Sequence, residues 1–374
     1  MKKASFYEIL TCVLFCAFIG IMGLMYLLLP KDGFSELEKR NLASSPEFSW
    51  ENLTSGQFGS DLESYMADHM PGRDFFVGLG AYYDLLTGQQ SSKDIYLAEG
   101  GRLVEKPTIW NAAQAEKNMK YINRFAEKMD VPVDLIIVPS AGFILEDKIQ
   151  GIHDSYYDDK IIDRIYDLAG NNIRRLNLIS LYQNSNQREN LYYRTDHHWT
   201  SYGAYKAYEA YMQCLKREYL PEVGFRVERF DGFRGSTYSR SKLWLTAGEE
   251  IQLWHGSNLT VQNSVNGLLH NGPFYYDRLQ EVDMYTVYLD GNQPLVRIIN
   301  KNNTGAGKLL VIRDSYANCI GPMLAESFEE VVLVDLRYYH QSLSQLAAAE
   351  GFDHILVLYS IGNFMTDSNF PYLQ

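Results

Sequence analysis

The strongest hydrophobic pattern lies near the start: from Ile9 to Leu29 the chain is uncharged and mostly apolar, and the run stops at Pro30. At about 1.5 Å per residue, a helix of this length matches a hydrocarbon core of roughly 30 Å, so a single membrane span is predicted. A cleaved signal peptide starts the same way. The apolar region is long for one, however, and no small-x-small site stands at its end, so a retained anchor is the expectation. Lys2 and Lys3 precede the run and Lys31, Lys39 and Arg40 follow it, so the balance of positive charge does not set the orientation. A short cytoplasmic tail with everything after Pro30 outside is the simpler topology.

Beyond the anchor the patterning becomes globular. Residues 31–90 read as a polar stalk followed by helices at Ser35–Glu38, Gly59–Met70 and Phe75–Leu86, the last two broken by Pro71-Gly72. Asp68-His69 sits at a helix end before that break and reads as structural. Ile95–Leu103 predicts a hairpin turning at Glu99-Gly100-Gly101, and Asn111–Lys128 an amphipathic helix. The wholly apolar run Val133–Val138 reads as a strand buried on both faces. A helix over Tyr156–Ala169, a short strand or turn within Arg174–Leu181, and a helix capped by Thr200 or Ser201, with Tyr205, Tyr208, Met212 and Leu215 on one face, continue the alternation. From about Phe225 to Gly305 short aromatic segments and glycine turns replace helices, which predicts an antiparallel insert. Strands at Lys308–Ile312, Glu330–Asp335 and His354–Tyr359 then return, separated by helical stretches around Pro322–Ser327 and Leu343–Glu350. The rhythm predicts an α/β domain over residues 91–374: a largely parallel sheet covered by helices, with the insert at about 225–305.

Composition narrows the function. With 374 residues, 46% hydrophobic and 21% charged, the chain can bury one large core or two modest ones. A formal charge of −12 and the lack of a basic stretch set nucleic acid aside. The 28 tyrosines supply flat amphipathic rings suited to sugars, although core packing is the ordinary use of most of them. Cys12 and Cys16 fall within the apolar run, while Cys214 and Cys319 are isolated. No metal-ligand spacing or disulfide framework follows, and no cofactor is called for.

The candidate chemistry lies in Asp196-His197-His198-Trp199. Serine is a poor nucleophile unless a base takes its proton, and that base must be held in one tautomer. Asp196 and His198, two residues apart at a helix start, offer such a pair, and the helix dipole disfavours the imidazolium there. His197, expected to point away from His198, reads as structural, and Trp199 as a shield for the ring. A polar helix cap with a buried Trp is the competing explanation. Ser315 follows the apolar strand ending at Ile312-Arg313, where open α/β sheets put reactive groups, although capping serines are common there. After the last strand, Asn363 offers an amide N–H for an oxyanion, or simply makes a turn. Gly291-Asn292 offers a further loop.

These segments together resemble the DHHW family and, more broadly, the SGNH-hydrolase-like O-acetyltransferases that acetylate exported polysaccharides such as alginate. The resemblance extends to Ser35–Arg40, Asp68–Arg73, Tyr285–Val296 and Leu310–Tyr339 with its Asp335-Leu336-Arg337-Tyr338 element. It implies an SGNH-like three-layer α/β/α fold. Ser315 would be the nucleophile, His198 the base, Asp196 its orienter and Asn363 an oxyanion donor, acting from the extracytoplasmic side of the cell membrane on an exported or cell-envelope polysaccharide. A polytopic membrane O-acyltransferase is the implied partner. Arg313 stands where SGNH enzymes have Gly, so either the backbone approach at the oxyanion hole differs or a cation meets the substrate. Arg337 would hold a sugar hydroxyl or carboxylate, or else pair with Asp335, and Trp199 completes the expected contacts. A carbohydrate acetyl esterase and a non-catalytic envelope-polymer binding protein are the alternatives.

Overall fold

The computed structural model describes residues 5–35, 40–265 and 267–374. Two compact units result, Met1–Gln89 with Lys242–Trp244, and Gln90–Ser241 with Leu245–Gln374. In the first, helix α1 (Phe6–Leu28) starts at Ser5, whose hydroxyl accepts the Glu8 N–H while the Glu8 carboxylate accepts the Ser5 N–H. The helix is long and apolar enough to cross a bilayer, a property that membrane anchors and signal sequences share. Ser35 pairs as extended backbone, and the remainder of the helix expected at Ser35–Glu38 lies outside the described residues. Helices α2 (Gln57–Asp68) and α3 (Arg73–Leu86) flank the Pro-Gly break. Asp68 and His69 clamp one residue: Asp68 Oδ2 accepts the Ala43 N–H and His69 Nε2 donates to the Ala43 carbonyl, both at 2.9 Å.

The second unit is built on an eight-stranded sheet. Its strands are β1 (Val133–Val138), β2 (Ile173–Arg175), β3 (Thr260–Asn263), β4 (Leu269–Asn271), β5 (Leu295–Ile299), β6 (Lys308–Arg313), β7 (Glu330–Val334) and β8 (His354–Ser360). They lie in the order β4-β3-β5-β7-β6-β8-β1-β2. From β7 to β2 all neighbours are parallel, whereas β5, β3 and β4 add antiparallel to the β7 edge. The sheet is therefore mixed, which corrects the expectation of a largely parallel one. The stretch read as an insert is the cause. Its Val261, Val296 and Ile298 join the same buried cluster as Val331 and Leu333, so these short strands extend the main sheet. Among the described residues of that stretch, only the hairpin Arg226–Phe233 with Glu249–His255 pairs apart from the main sheet, as the strands Ser91–Ser92, Ile95–Ala98 and Arg102–Glu105 do elsewhere in the unit.

Alternation along the central strands fills two cores. Leu309, Val311, Leu356 and Leu358 enter one cluster, and Leu310, Ile312, Ile355, Val357 and Tyr359 the other. The first is covered by α6 (Ser201–Leu215) and α8 (Ala317–Leu324), the second by α4 (Ala112–Lys128), α5 (Asp158–Asp167), α9 (Leu343–Glu350) and α10 (Ile361–Thr366). Helix α4 shows why the pattern was readable: Asn111 caps it, and Ala115, Met119, Ile122 and Ala126 recur on its buried face. Each fully buried Ile or Met contributes about 1.5–3 kcal/mol. Helix α7 (Ser236–Ser241) lies between the two strands of the hairpin. The carboxyl ends of β6 and β8 deliver Asp314-Ser315 and Ser360 to the same edge of the sheet.

Candidate active site

The segment from Leu191 to Thr200 closes on itself. Tyr192 bridges Trp199, and the Thr200 N–H reaches the Leu191 carbonyl at 2.9 Å. Buried Arg102 donates to the carbonyls of Tyr192 and Tyr193 at 3.0 and 2.8 Å. The Glu249 carboxylate accepts the Arg194 N–H at 2.8 Å, and the Thr195 N–H and hydroxyl at 2.6 Å each. Burial of either charge would be costly without these peptide and hydroxyl partners. With them, the loop is held from both sides.

That loop carries Asp196 and His198 to Ser315, 117 residues beyond the histidine. His198 Nδ1 lies 2.5 Å from Asp196 Oδ1, and its Nε2 lies 2.7 Å from Ser315 Oγ. Asp196 is 3% exposed and His198 5%. The Asp196 carboxylate also accepts the backbone N–H groups of His198, at 2.9 Å, and Ser236, at 2.7 Å. Burial works against its charge, but His198, His197 and these donors hold its carboxyl well below the usual carboxylate range. With Asp196 fixed as an acceptor, Nδ1 carries the imidazole proton and Nε2 is free to accept the serine's. Burial, followed by the neighbouring His197, lowers the His198 pKa and favours the neutral ring. This arrangement can deprotonate a serine hydroxyl during attack on an acyl group.

His197 does not point away. Its ring centroid lies 3.9 Å from that of His198, its Nδ1 is 2.5 Å from Ser236 Oγ, and its carbonyl accepts the Tyr316 hydroxyl. On another side Tyr285 stacks on His198, with centroids 3.8 Å apart and planes within 5°. Asp196, His197 and His198 also bring ligand-type atoms within 4.8 Å of one another, but His198 Nδ1 and Asp196 Oδ1 already bond each other.

The turn bearing the serine is organised by Asp314. Its Oδ2 accepts the Ser360 N–H and hydroxyl and the Asn363 amide at 2.8, 2.7 and 2.8 Å, and its Oδ1 accepts the Tyr316 N–H at 3.0 Å. Asn363 is thus drawn to a carboxylate, which a polarised amide N–H favours over a neutral acceptor. Trp199 and Arg313, expected against the substrate, are fully buried instead. Trp199 Nε1 donates to the Tyr316 carbonyl at 3.1 Å. The Arg313 guanidinium lies 3.6 Å from Asp335 and donates to Asn292 Oδ1 and the Gln293 carbonyl at 3.2 Å each. Arg337 takes its salt-bridge option, with Nε and Nη2 on the Asp335 carboxylate at 2.9 and 2.6 Å.

Asn292 follows a strained turn. Leu289, Asp290 and Gly291 have φ of 58°, 61° and 77°, a left-handed run that costs a β-carbon-bearing residue about 1–2 kcal/mol per position and suits Gly. Its side-chain carbonyl accepts from Arg313 and, at 3.0 Å, from Asn318, three residues beyond Ser315. The NH2 arm of the same amide is therefore fixed in the opposite direction. Tyr285, Glu249, Ser236 and Asp314 were not legible as parts of this site. Tyr285 stood within a segment already singled out, but nothing in its spacing pointed to His198.

The DHHW protein family matches residues 117–334, more than half of the chain. No curated protein matches. Among solved structures, a DHHW family protein from Eubacterium siraeum is similar with a TM-score of 0.66 and 20% identity, over 75% of this chain and 95% of that one. PatB1 of Bacillus cereus, solved with a sulfonyl adduct, gives 0.63 and 21% over 75% and 98%. The O-acetyltransferase domain of Pseudomonas putida AlgJ gives 0.47 and 12% over 75% and 95%. The motif that gives the family its letters is the loop that meets Ser315 here, and the match runs through both: this chain belongs to the DHHW family.

Proposed function

We propose that this protein is a membrane-anchored, extracytoplasmic O-acetyltransferase that works through an acyl-serine. The observation that carries the reading is the continuous contact Asp196–His198–Ser315, at 2.5 and 2.7 Å in a buried setting. Ser315 Oγ attacks the carbonyl carbon of the acetyl donor while His198 Nε2 takes its proton. The tetrahedral intermediate collapses, the donor oxygen leaves with the proton from His198, and the acetyl group remains on Ser315. A sugar hydroxyl then enters, gives its proton to His198 and attacks the acetyl carbon. Ser315 leaves, reprotonated by His198. The Ser315 backbone N–H and the fixed NH2 arm of Asn292 are assigned to the developing oxyanion. Asn363 supports the turn through Asp314.

The acceptor is an exported or cell-envelope polysaccharide, and a polytopic O-acyltransferase delivers the acetyl group across the membrane. Helix α1 anchors the chain. The test uses the full chain in detergent with 4-nitrophenyl acetate and a fluorophosphonate probe. The expected result is acetate release, labelling of Ser315, and a rate loss of about 10³-fold or more in Ser315→Ala. Full activity in that variant, with the label on another serine, refutes the assignment. Added envelope oligosaccharides should gain acetyl at the expense of free acetate. An esterase gives acetate only, and a binding protein gives neither product.

A further inference from the structure

The chain leaving strand Arg102–Glu105 passes α7 and α10, two helices that hold residues of the site. Glu105 pairs with Arg240 of α7, the helix whose first residue, Ser236, donates to Asp196. Three residues on, Thr108 lies beside α10: a β-carbon added at Gly362, next to Asn363, would stand 3.8 Å from Thr108 Oγ1. Between this segment and the start of α5 lies a groove of about 660 Å³, lined among others by Ile109, Trp110, Tyr157, Lys160 and Arg164.

Its lining carries Lys106, Lys160 and Arg164 against one carboxylate, Asp154, in a chain of net charge −12. The Lys160 ammonium sits 4.5 Å over the Tyr157 ring, and the Arg164 guanidinium 5.5 Å over the indole of Trp110. Both cations are exposed, and among the described residues neither is bridged to a carboxylate. Being four apart on α5, they rise from one face of the helix. Tyr157 is 51% exposed and Ile109 83%. The groove therefore offers two aromatic rings, each beside a positive charge. Rings alone stack on any sugar. The unpaired cations add a preference for negative charge, which rises as water is excluded between the two.

We infer that this groove is the acceptor subsite for an acidic glycan, whose sugars lie against Tyr157 and the exposed part of Trp110 and whose carboxylate or phosphodiester groups meet Lys160 and Arg164. The inference rests on the acyl-serine reading, which supplies the reason for a polymer to lie beside Ser315. A neutral chain would gain no attraction from the two cations, so the charged repeat is the ligand selected.

The experiment uses the full chain in detergent at low salt. Binding is measured for oligogalacturonate, for the same oligomer after reduction of its carboxyl groups, and for short polyglycerol phosphate. Fluorophosphonate labelling of Ser315 is followed in parallel. The native chain should bind at least one charged probe tenfold or more tightly than the reduced oligomer, and the probe that wins identifies carboxylate or phosphate as the natural group. K160E/R164E should abolish this preference while Ser315 labels at a rate within twofold of native. W110A should weaken charged and reduced oligomers alike. Equal binding of charged and reduced oligomers by the native chain, or an unchanged preference in K160E/R164E, overturns the subsite and leaves the acyl-serine reading intact. Absence of Ser315 labelling in the native chain overturns the acyl-serine reading itself, whatever the glycans do.

Discussion

Gly235→Ala tests whether the position of Asp196 governs the site. A β-carbon built on Gly235 falls 2.2 Å from both the Asp196 Cβ and Oδ2, and 2.5 Å from Cγ. No rotamer change at an added methyl can relieve that contact, so Asp196 or the chain at 235 must move by about an ångström. Either movement lengthens the 2.7 Å bond from the Ser236 N–H and the 2.5 Å contact with His198 Nδ1. Overpacking of this kind costs about 1–3 kcal/mol of stability. For a domain of this size that lowers Tm by roughly 2–10 °C. The catalytic loss should be larger. Misplacing the orienting carboxylate of a serine relay costs about 10³- to 10⁴-fold in kcat, or roughly 4–5.5 kcal/mol of barrier. The assay is 4-nitrophenyl acetate turnover by the full chain, read beside thermal melting and the rate of fluorophosphonate labelling. A variant that melts within a few degrees of native yet labels at least a hundredfold more slowly fits the argument. A well-folded Gly235→Ala chain with kcat within threefold of native refutes it.

Two further predictions concern charge. Because burial and then His197 depress the His198 pKa, neutral His198 should persist below the ordinary histidine value of about 6.5, and the acid limb of kcat/KM should lie below that pH. His197→Ala removes the second cause, so the limb should move upward; an unmoved or lowered limb in the pH profile counts against it. Asp335→Ala leaves buried Arg313 without its carboxylate and should cost about 3–5 kcal/mol in urea unfolding. A loss below about 1 kcal/mol would show that the Asn292 and Gln293 carbonyls alone suffice.

What could be read from residues alone follows from which interactions are local. Helix α4, the strands around Val133, Leu309 and Ile355, and the cap at Thr200 all depend on periodicity or on groups three residues apart, and each was found close to its observed place. Asp196 and His198 were legible because a two-residue spacing carries their chemistry. The sheet's antiparallel half was not, since short aromatic segments say nothing of which edge they will join. Partner choice misled in the same way. An arginine beside the serine looks like a substrate contact until Asp335, 22 residues on, is found in the same buried space, and the bond from the Asn363 amide to the Asp314 carboxylate could not be read from spacing either.

Three of the four donors gathered by Asp314 tie the serine turn to residues 360–363, which the ribosome makes long after the DHHW loop. A nascent or arrested chain that stops short of them already contains serine, histidine and aspartate, yet lacks the groups that stiffen the turn. The turn is thus stiffened only by a segment synthesised after it. Under the proposed acyl-serine chemistry, probe reactivity at Ser315 becomes a direct report that β8 lies between β6 and β1.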